Sequence, residues 1–346
     1  MASADALRSL PKAELHQHLD GSLRLDTAVE LAGAMGMPLT LVEARRRMVG
    51  PAQCANQAEL LGFFDLPIAL LQTTDALGRA TRELIEDLVS DGVRYAEIRW
   101  APRLHLVGGL SVTDVIEAVA GGVGHAAQAP GPAAPVIGLI VTAMRSHPPA
   151  ANVELAHTAA EYGPPIIGFD LAGDEAAWPA PPHAAALNAA RAGGLSLTAH
   201  AGEVPGPERI REVLDLGVLR VAHGVTAAGD QSLLQLLRGR DITLDLCPTS
   251  NVQAGIVADL ASHPVAALHR AGVSVTLSTD DRTVTGTTLS DELATVAAAT
   301  GMTPDELAAV ALNGFRRAFA SPTVLAPIMA SATSAWDAWR SRTDIS

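Results

Sequence analysis

The stretch LSLTAHAGEVPGPERIREVLDLGVLRVAHG (195–224) contains the repeating unit of the fold. The apolar run at 195–199 is typical of a buried parallel strand, and 207–216 carries apolar residues three and four apart, as an amphipathic helix does. A further strand follows at 220–222. Similar strands are predicted at 13–19, 93–100, 136–143, 166–171, 242–246 and 273–278. Eight strands alternating with helices predict an α/β fold, the (β/α)8 TIM barrel.

The chain is longer than such a barrel needs, with 346 residues against about 250 for a typical one. We expect the excess to form a helical insertion between the first two strands, approximately 25–88. No boundary divides the sequence, so it predicts a single domain over 1–346. A strong helix is predicted over 304–319, with Thr303 as its N-cap, and a loop over 127–135.

Composition excludes several classes of function. A net charge of −13 disfavours nucleic acid and acidic membranes as partners. No apolar run reaches the ~18 residues of a membrane span. Lys12 is the only lysine, which excludes a Walker phosphate loop and a binuclear metal site bridged by a carbamylated lysine after strand four. Only two cysteines and no signal-peptide pattern predict a cytoplasmic protein.

Histidines and acids follow five of the predicted strands, where the catalytic groups of a barrel gather. They are His16, His18 and Asp20, then Asp170 to Glu175, then His200 and Glu203, then His223, and finally Asp280 and Asp281. Residues two apart in an extended segment face the same side, so both imidazoles of the first strand can share one ion. Three histidines with a carboxylate form a nitrogen and oxygen set that suits Zn²⁺ with an open position for water.

Each of these residues also has a structural interpretation. His223 could be a packed histidine at a strand end, and Glu203 could cap the helix that follows it. Asp280 and Asp281 could be an N-cap and an acid of the first helical turn. Their joint placement at the strand ends favours the metal site.

Other residues leave two interpretations open. The remaining histidines are predicted to be structural, with His105 the partial exception because it closely follows strand two. Cys247 is predicted to pack rather than to bind metal. Leu60, Phe63 and Phe64 are most simply core residues, although a lid over a purine would use the same residue types.

Seven motifs occur in one order: PKAELHQHLDGSLR (11–24), YAEIRWAPRLH (95–105), GFDLAGDE (168–175), HAGE (200–203), AHG (222–224), CPTSN (247–251) and STDD (278–281). Together they resemble the adenosine deaminase family, and the likeness runs from about residue 10 to residue 319. The resemblance implies a zinc-containing (β/α)8 barrel with one Zn²⁺ per chain and a purine nucleoside as its small-molecule partner.

The resemblance also implies a role for each site residue. The implied zinc ligands are His16, His18, His200 and Asp280. Glu203 matches the residue that gives a proton to purine N1, and His223 matches the one that orients and helps to deprotonate the attacking water. Asp281 matches the carboxyl group that hydrogen-bonds N7. Gly173 matches the glycine whose backbone N–H meets N3, and Asp20 the residue near the ribose 5′-hydroxyl.

The implied activity is hydrolysis of adenosine, and of 2′-deoxyadenosine, to the inosine product and ammonia. Where many members of the family have proline after the paired aspartates, this chain has Arg282. Arg103, Arg145 and Arg282 could bind an anionic group on the ribose side, although surface ion pairing is the favoured interpretation of each. The alternatives are therefore a 5′-modified nucleoside such as 6-aminodeoxyfutalosine, free adenine, or a catalytically silent scaffold. The sequence leaves open whether the chain forms a homo-oligomer.

Overall fold

The computed structural model describes residues 3–128 and 135–343. Its eight strands are β1 (Lys12–His18), β2 (Val93–Trp100), β3 (Val136–Met144), β4 (Ile166–Ala172), β5 (Ser196–Ala201), β6 (Arg220–His223), β7 (Thr243–Leu246) and β8 (Ser274–Leu277). They pair in parallel and in chain order from β1 to β8. Backbone hydrogen bonds from His18 N–H to Asp280 O and from Asp280 N–H to His16 O, of 2.7 and 3.0 Å, join the segment after β8 to β1. The predicted (β/α)8 barrel is confirmed.

Helices alternate with these strands. They are α1 (Ala4–Arg8), α2 (Leu25–Ala34), α3 (Leu41–Met48), α4 (Gln57–Leu61), α5 (Asp65–Leu70), α6 (Thr74–Ser90), α7 (Val112–Ala127), α8 (Pro149–Tyr162), α9 (Ala184–Ala192), α10 (Glu208–Asp215), α11 (Gln231–Gly239), α12 (Pro248–Gln253), α13 (Val265–Arg270), α14 (Leu289–Thr300), α15 (Pro304–Arg316) and α16 (Pro322–Thr343). None of the helices in the described part of the chain is long and apolar enough to cross a membrane. Most of the loop predicted over 127–135 lies outside the described residues.

Helix boundaries follow local capping chemistry. Thr303 accepts a hydrogen bond from the Glu306 backbone N–H and the Glu306 carboxylate accepts one from Thr303 N–H, which is the capping box at the start of α15. Thr73 caps α6 in the same way through the N–H of Ala76. The predicted N-cap of α15 is therefore confirmed, and the helix ends three residues before the predicted limit of 319.

Helices α2 to α6 fill the segment in which the helical insertion was predicted. The long helix α6 packs beside β2 and α7, as a helix of the outer ring does. Helix α5 contacts the 3-10 turns Asp20–Ser22 and Pro102–His105, which follow β1 and β2 at the carboxyl end of the barrel. The insertion therefore covers the end of the barrel at which catalytic groups are expected. The single-domain assignment over 1–346 stays a prediction.

The lower part of the barrel interior is held by buried charges. The Arg220 guanidinium lies between the carboxylates of Glu97 and Asp245, and all three side chains are almost fully buried. Its flat face also stacks on Phe319, 3.8 Å from the ring centre. An unpaired charge in the protein interior is costly, so the two carboxylates hold the Arg220 guanidinium in place. This network closes the floor beneath the polar strand ends.

Candidate metal centre

Three imidazoles converge at the carboxyl end of the barrel. The Nε2 atoms of His16, His18 and His200 lie 3.1–3.2 Å from one another. Asp280 Oδ1 is 3.0 Å from His16 Nε2 and 3.4 Å from His18 Nε2. Ligands around a tetrahedral zinc ion, at bonds of about 2.0–2.1 Å, are about 3.3 Å apart. The four side chains therefore fit a single divalent ion between them.

The backbone shows why these residues meet. His16 and His18 are two apart on β1, so both rings face the barrel axis. His223 and Asp280, at the ends of β6 and β8, both have φ of +65°, a conformation that residues with a side chain rarely adopt. Such strain persists where the surroundings hold it, and it clusters at functional sites.

Burial also sets the protonation of the imidazoles. It lowers the pKa of His18 to about 4 and that of His16 well below its usual value. A metal ligand must offer a neutral imidazole nitrogen, so these low pKa values suit the site.

Two further residues hydrogen-bond to the atoms of His200 and Asp280 that do not face the proposed metal position. The Nδ1 atom of His200 lies 3.1 Å from Asp170 Oδ2, which leaves Nε2 free to bind a metal. Ser250 Oγ donates to Asp280 Oδ2 at 2.7 Å and leaves Oδ1 facing the imidazoles. Sequence reasoning placed Asp170 at a strand end and Ser250 in a motif, but it gave neither residue a role.

A cavity of about 260 Å³ opens beside the metal ligands. Its polar wall is formed by His18, Asp20, Gly173, His200, Glu203, His223, Asp280 and Asp281, and its apolar wall includes Leu60, Leu61, Phe64 and Ile68 from the insertion. Together with His16, which is fully buried behind this wall, the structure brings together all nine residues singled out in the sequence. The volume suits one small molecule.

Glu203 is placed by its neighbours on both sides. The Glu175 carboxylate accepts hydrogen bonds from the backbone N–H groups of Gly202, Glu203 and Val204, which fixes the turn after β5. On the other side, Gln57 Nε2 donates to Glu203 Oε2 at 2.7 Å. Sequence reasoning missed Gln57 and the role of Glu175, since no local pattern links them to Glu203.

The Glu203 carboxyl is electrostatically suited to hold a proton. Burial, and then the neighbouring carboxylates of Glu175 and Asp280, raises its pKa well above the usual range. A carboxyl group with a raised pKa is protonated at neutral pH and can act as an acid. Glu203 does not cap α10, whose first turn has no side-chain cap in the described structure.

Asp281 and Asp20 line the cavity, and in the described part of the chain each has one carboxylate oxygen without a partner. Asp281 Oδ1 and Asp20 Oδ1 are buried without a hydrogen-bond partner among the described residues. Burial, and then the carboxylates of Asp280 and Asp20, raises the pKa of Asp281 well above its usual value. Because both residues line the cavity, each carboxyl group can reach a ligand bound there. Asp281 makes no side-chain cap for the helical turn that follows it.

Gly173 and His105 complete this wall. Gly173 has a φ of +105°, which favours glycine, and it lines the cavity next to the Met144 side chain. His105 is fully buried, with Nε2 3.5 Å from Asp20 Oδ2 and Nδ1 2.9 Å from Leu71 O. His105 therefore contacts the Asp20 carboxylate and does not itself line the cavity.

The prediction of surface ion pairing is wrong for Arg145 and holds only in part for Arg282, whose ion pair is mostly covered. Arg145 is buried and donates to the backbone oxygens of Trp178 and His200, at 3.0 and 2.6 Å. Arg282 lies 3.6 Å from the buried carboxylate of Asp91 and is itself mostly covered. Arg103 is half-buried. Among the described residues that line the cavity, none is an arginine.

The apolar residues of the insertion and Cys247 are the other residues for which the sequence left two interpretations open. Leu60 and Phe64 line the cavity as a lid would, and both also pack, like Phe63, in a small apolar cluster with Cys54 and Val284. Cys247 is fully buried, 3.7 Å from the backbone oxygen of Asp245. Its Sγ also lies within 4.8 Å of ligand atoms of His223 and Asp280, so the packing role of Cys247 stays a prediction.

The sequence model for adenosine deaminase matches residues 11–331. The chain belongs to the adenosine deaminase family. An adenosine deaminase of Clostridium perfringens is 34% identical over 91% of this chain and 96% of its own length. One from Lacticaseibacillus casei is 37% identical over 90% and 92%.

Solved structures of other deaminases share the family fold. Adenine deaminase from Arthrobacter aurescens superposes with a TM-score of 0.87 at 28% identity, covering 94% of this chain and 98% of that one. An amidohydrolase from Burkhoderia ambifaria with bound Zn gives 0.89 at 26% identity, covering 99% and 95%. The N6-methyl-AMP deaminase of Arabidopsis thaliana gives 0.85 at 27% identity, covering 96% and 98%. The family relationship makes this chain a hydrolytic deaminase, and its histidine–aspartate cluster could hold a metal ion.

Proposed function

We propose that the chain hydrolyses adenosine, and 2′-deoxyadenosine, to the inosine product and ammonia, with Zn²⁺ as its metal. The observation that carries the proposal is the convergence of Glu203 and Asp281, both carboxyls with raised pKa, on one cavity beside four metal ligands. Relatives named adenosine deaminase, matched over more than nine-tenths of their length, support the nucleoside as substrate.

Four residues would hold the metal. When bound, a divalent ion such as Zn²⁺ would activate a water molecule as the nucleophile by lowering its pKa to about 7. His16, His18, His200 and Asp280 would hold the ion, and their nitrogen and oxygen donors suit zinc. Of the remaining residues, His223 faces the same position, with Nε2 3.5 Å from Glu203 Oε1 and 3.8 Å from Asp280 Oδ2.

Residues of the chain then transfer the protons that the reaction requires. Attack of the water oxygen on C6 drives electrons onto N1, where Glu203 delivers a proton. Of the two protons of water, one finally remains on N1 and the other leaves with the amine as ammonia when the C6–N bond breaks. A positioned acid of this kind contributes about 10²–10⁴-fold. A protonated Asp281 would donate to N7, and the Gly173 N–H would donate to N3, so that the purine is held on both edges.

The ribose side of the cavity favours an uncharged nucleoside. Asp20, which matches the family residue near the ribose 5′-hydroxyl, lines the cavity, and no arginine is present among the described lining residues. A phosphate or benzoate at the 5′ end would bring a second negative charge against the Asp20 carboxylate, which is unfavourable in a poorly solvated site. The geometry therefore supports adenosine over a 5′-anionic nucleoside such as 6-aminodeoxyfutalosine.

A cytoplasmic location stays a prediction, supported by two cysteines that are buried and not bonded to each other. Formation of a homo-oligomer is likewise untested. The alternative of a catalytically silent scaffold requires a broken site position, and each position named above carries the expected residue.

The test is ammonia release from adenosine, 2′-deoxyadenosine, AMP and free adenine by protein loaded with one equivalent of zinc. We expect kcat/KM for adenosine to exceed that for AMP and for adenine by at least about tenfold, or 1.4 kcal/mol in transition-state binding. A tenfold preference for free adenine would contradict the nucleoside proposal. Absence of turnover on all four would favour the scaffold.

A further inference from the structure

A chain of buried hydrogen bonds reaches His223 from outside the cavity. It begins at the backbone N–H of Val265, the first residue of α13, which donates to Nδ1 of His263 at 3.3 Å. His263 Nε2 lies 3.2 Å from Asn251 Oδ1. Asn251 Nδ2 lies 3.1 Å from Nδ1 of His223. His223, Asn251 and His263 are each at least 96% buried, with exposures of 1, 0 and 4%.

The direction of every bond in this chain is fixed by its first member. A backbone N–H can only donate, so His263 Nδ1 must accept and the ring proton must be on Nε2. Burial lowers the pKa of His263 to about 3, which keeps the ring neutral as this arrangement requires. The Nε2–H then donates to the carbonyl oxygen of Asn251, which turns the amide N–H₂ of Asn251 towards His223.

We propose that this relay fixes the tautomer of His223, with its proton on Nε2, and that His263 is a positioning residue for the reaction. Since Asn251 donates to Nδ1, the only ring proton of neutral His223 faces the cavity. His223 thus orients the attacking water by donating a hydrogen bond and does not accept a proton at Nε2. This inference rests on the proposed function for its chemical meaning, but the tautomer itself can be measured without turnover.

If these hydrogen bonds ran in the opposite direction, His223 would have a different role. If the Asn251 amide were reversed, its N–H₂ would face the Nε2–H of His263, and two donors would oppose each other in a buried place, which is costly. His223 would then carry its proton on Nδ1 and could act as a base at Nε2. The relay therefore selects between two roles for the same imidazole.

The direct test is the ¹⁵N spectrum of the imidazoles in zinc-loaded protein labelled at histidine, with His223 assigned from its variant His223→Gln. We expect a protonated Nε2 and an unprotonated Nδ1 for His223, the reverse of His200, whose Nδ1 faces Asp170. A proton on Nδ1 of His223 overturns the proposal, whether or not the enzyme deaminates adenosine. The expected tautomer without turnover would instead refute the proposed function and leave the relay intact.

Three variants separate positioning from packing. Asn251→Asp, nearly isosteric, replaces the donor by an acceptor, so His223 should gain a proton on Nδ1 and kcat should fall about a hundredfold, as for a misplaced catalytic group. His263→Leu should give mixed tautomers and a fall in kcat of about tenfold or more. His263→Gln, whose amide N–H₂ can donate to Asn251 from the same position, should restore both the tautomer and most of kcat.

The matched control is Leu268→Ala on α13, where the side chain is 1% exposed. It should lower the melting temperature, as the loss of a buried leucine does, while the His223 tautomer and kcat stay as in the unmodified protein. If His263→Gln behaved like His263→Leu, or if Leu268→Ala shifted the tautomer equally, His263 would be a packing residue and the proposal would be wrong.

Discussion

Replacing Glu203 by glutamine isolates the proton donor from the rest of the site. The two side chains have the same shape, and the raised pKa of Glu203 means that a neutral group is exchanged for a neutral group. The turn that carries residue 203 is held through backbone N–H groups by Glu175 and is unaffected. Gln57 can still donate to the new amide oxygen. Folding and metal binding should therefore be preserved.

Glu203→Gln should slow only the chemical step of the reaction. Loss of a positioned acid is expected to lower kcat by about 10²–10⁴-fold, equivalent to about 2.7–5.4 kcal/mol at 1.36 kcal/mol per factor of ten. The assay combines kcat on adenosine, zinc content by elemental analysis and the melting temperature.

Glu208→Gln, at an exposed position five residues further along the chain, is the control and should match the unmodified enzyme in all three measurements. Retention of kcat within about threefold in Glu203→Gln would show that the donor is another group. Loss of zinc together with kcat would show that Glu203 acts through the metal.

Three further substitutions test the supporting contacts. Asp170→Asn, which weakens the hold on Nδ1 of His200, should reduce zinc affinity about 10–100-fold in chelator competition; an unchanged affinity would remove Asp170 from the site. Gln57→Leu removes the hydrogen bond to Glu203, worth about 1 kcal/mol, so kcat should fall about fivefold at constant zinc content. An unchanged kcat would show that Gln57 contributes only packing. Asp20→Asn should raise KM for adenosine. It should also raise kcat/KM for AMP, because a charge that repels the phosphate is lost. If the ratio of kcat/KM for the two substrates did not change, the 5′ end of the nucleoside would not lie beside Asp20.

The sequence predicts the strands and the metal ligands because both are local patterns. A buried strand shows as a short apolar run, and the alternation along it fixes which side chains face the axis, as for His16 and His18. In a barrel, the ends of all strands meet at one rim, so residues as distant as His18 and Asp280 are predicted to be neighbours. The structure gives the four ligand atoms a common centre.

Contacts between loops were not predictable in the same way. Gln57 and Glu203 are 146 residues apart, and neither lies on an element whose direction the pattern fixes. Arg145 shows a related limit, since an arginine after a strand can point to solvent, substrate or backbone, and only the packing around Trp178 decides it. Helix α16 was missed because its alanine-, serine- and threonine-rich sequence has weak periodicity and contains Pro327.

We expect three imidazoles and one carboxylate to hold a single zinc ion, and zinc-edge X-ray absorption of the loaded protein tests this most directly. The site geometry predicts three nitrogen neighbours at about 2.0–2.1 Å, a carboxylate oxygen at about 2.0–2.2 Å and no sulfur. Those neighbours should be lost in Asp280→Ala and His16→Ala. A sulfur neighbour at about 2.3 Å would place the ion on a cysteine instead, and a hydrated ion without imidazole neighbours would contradict the site altogether.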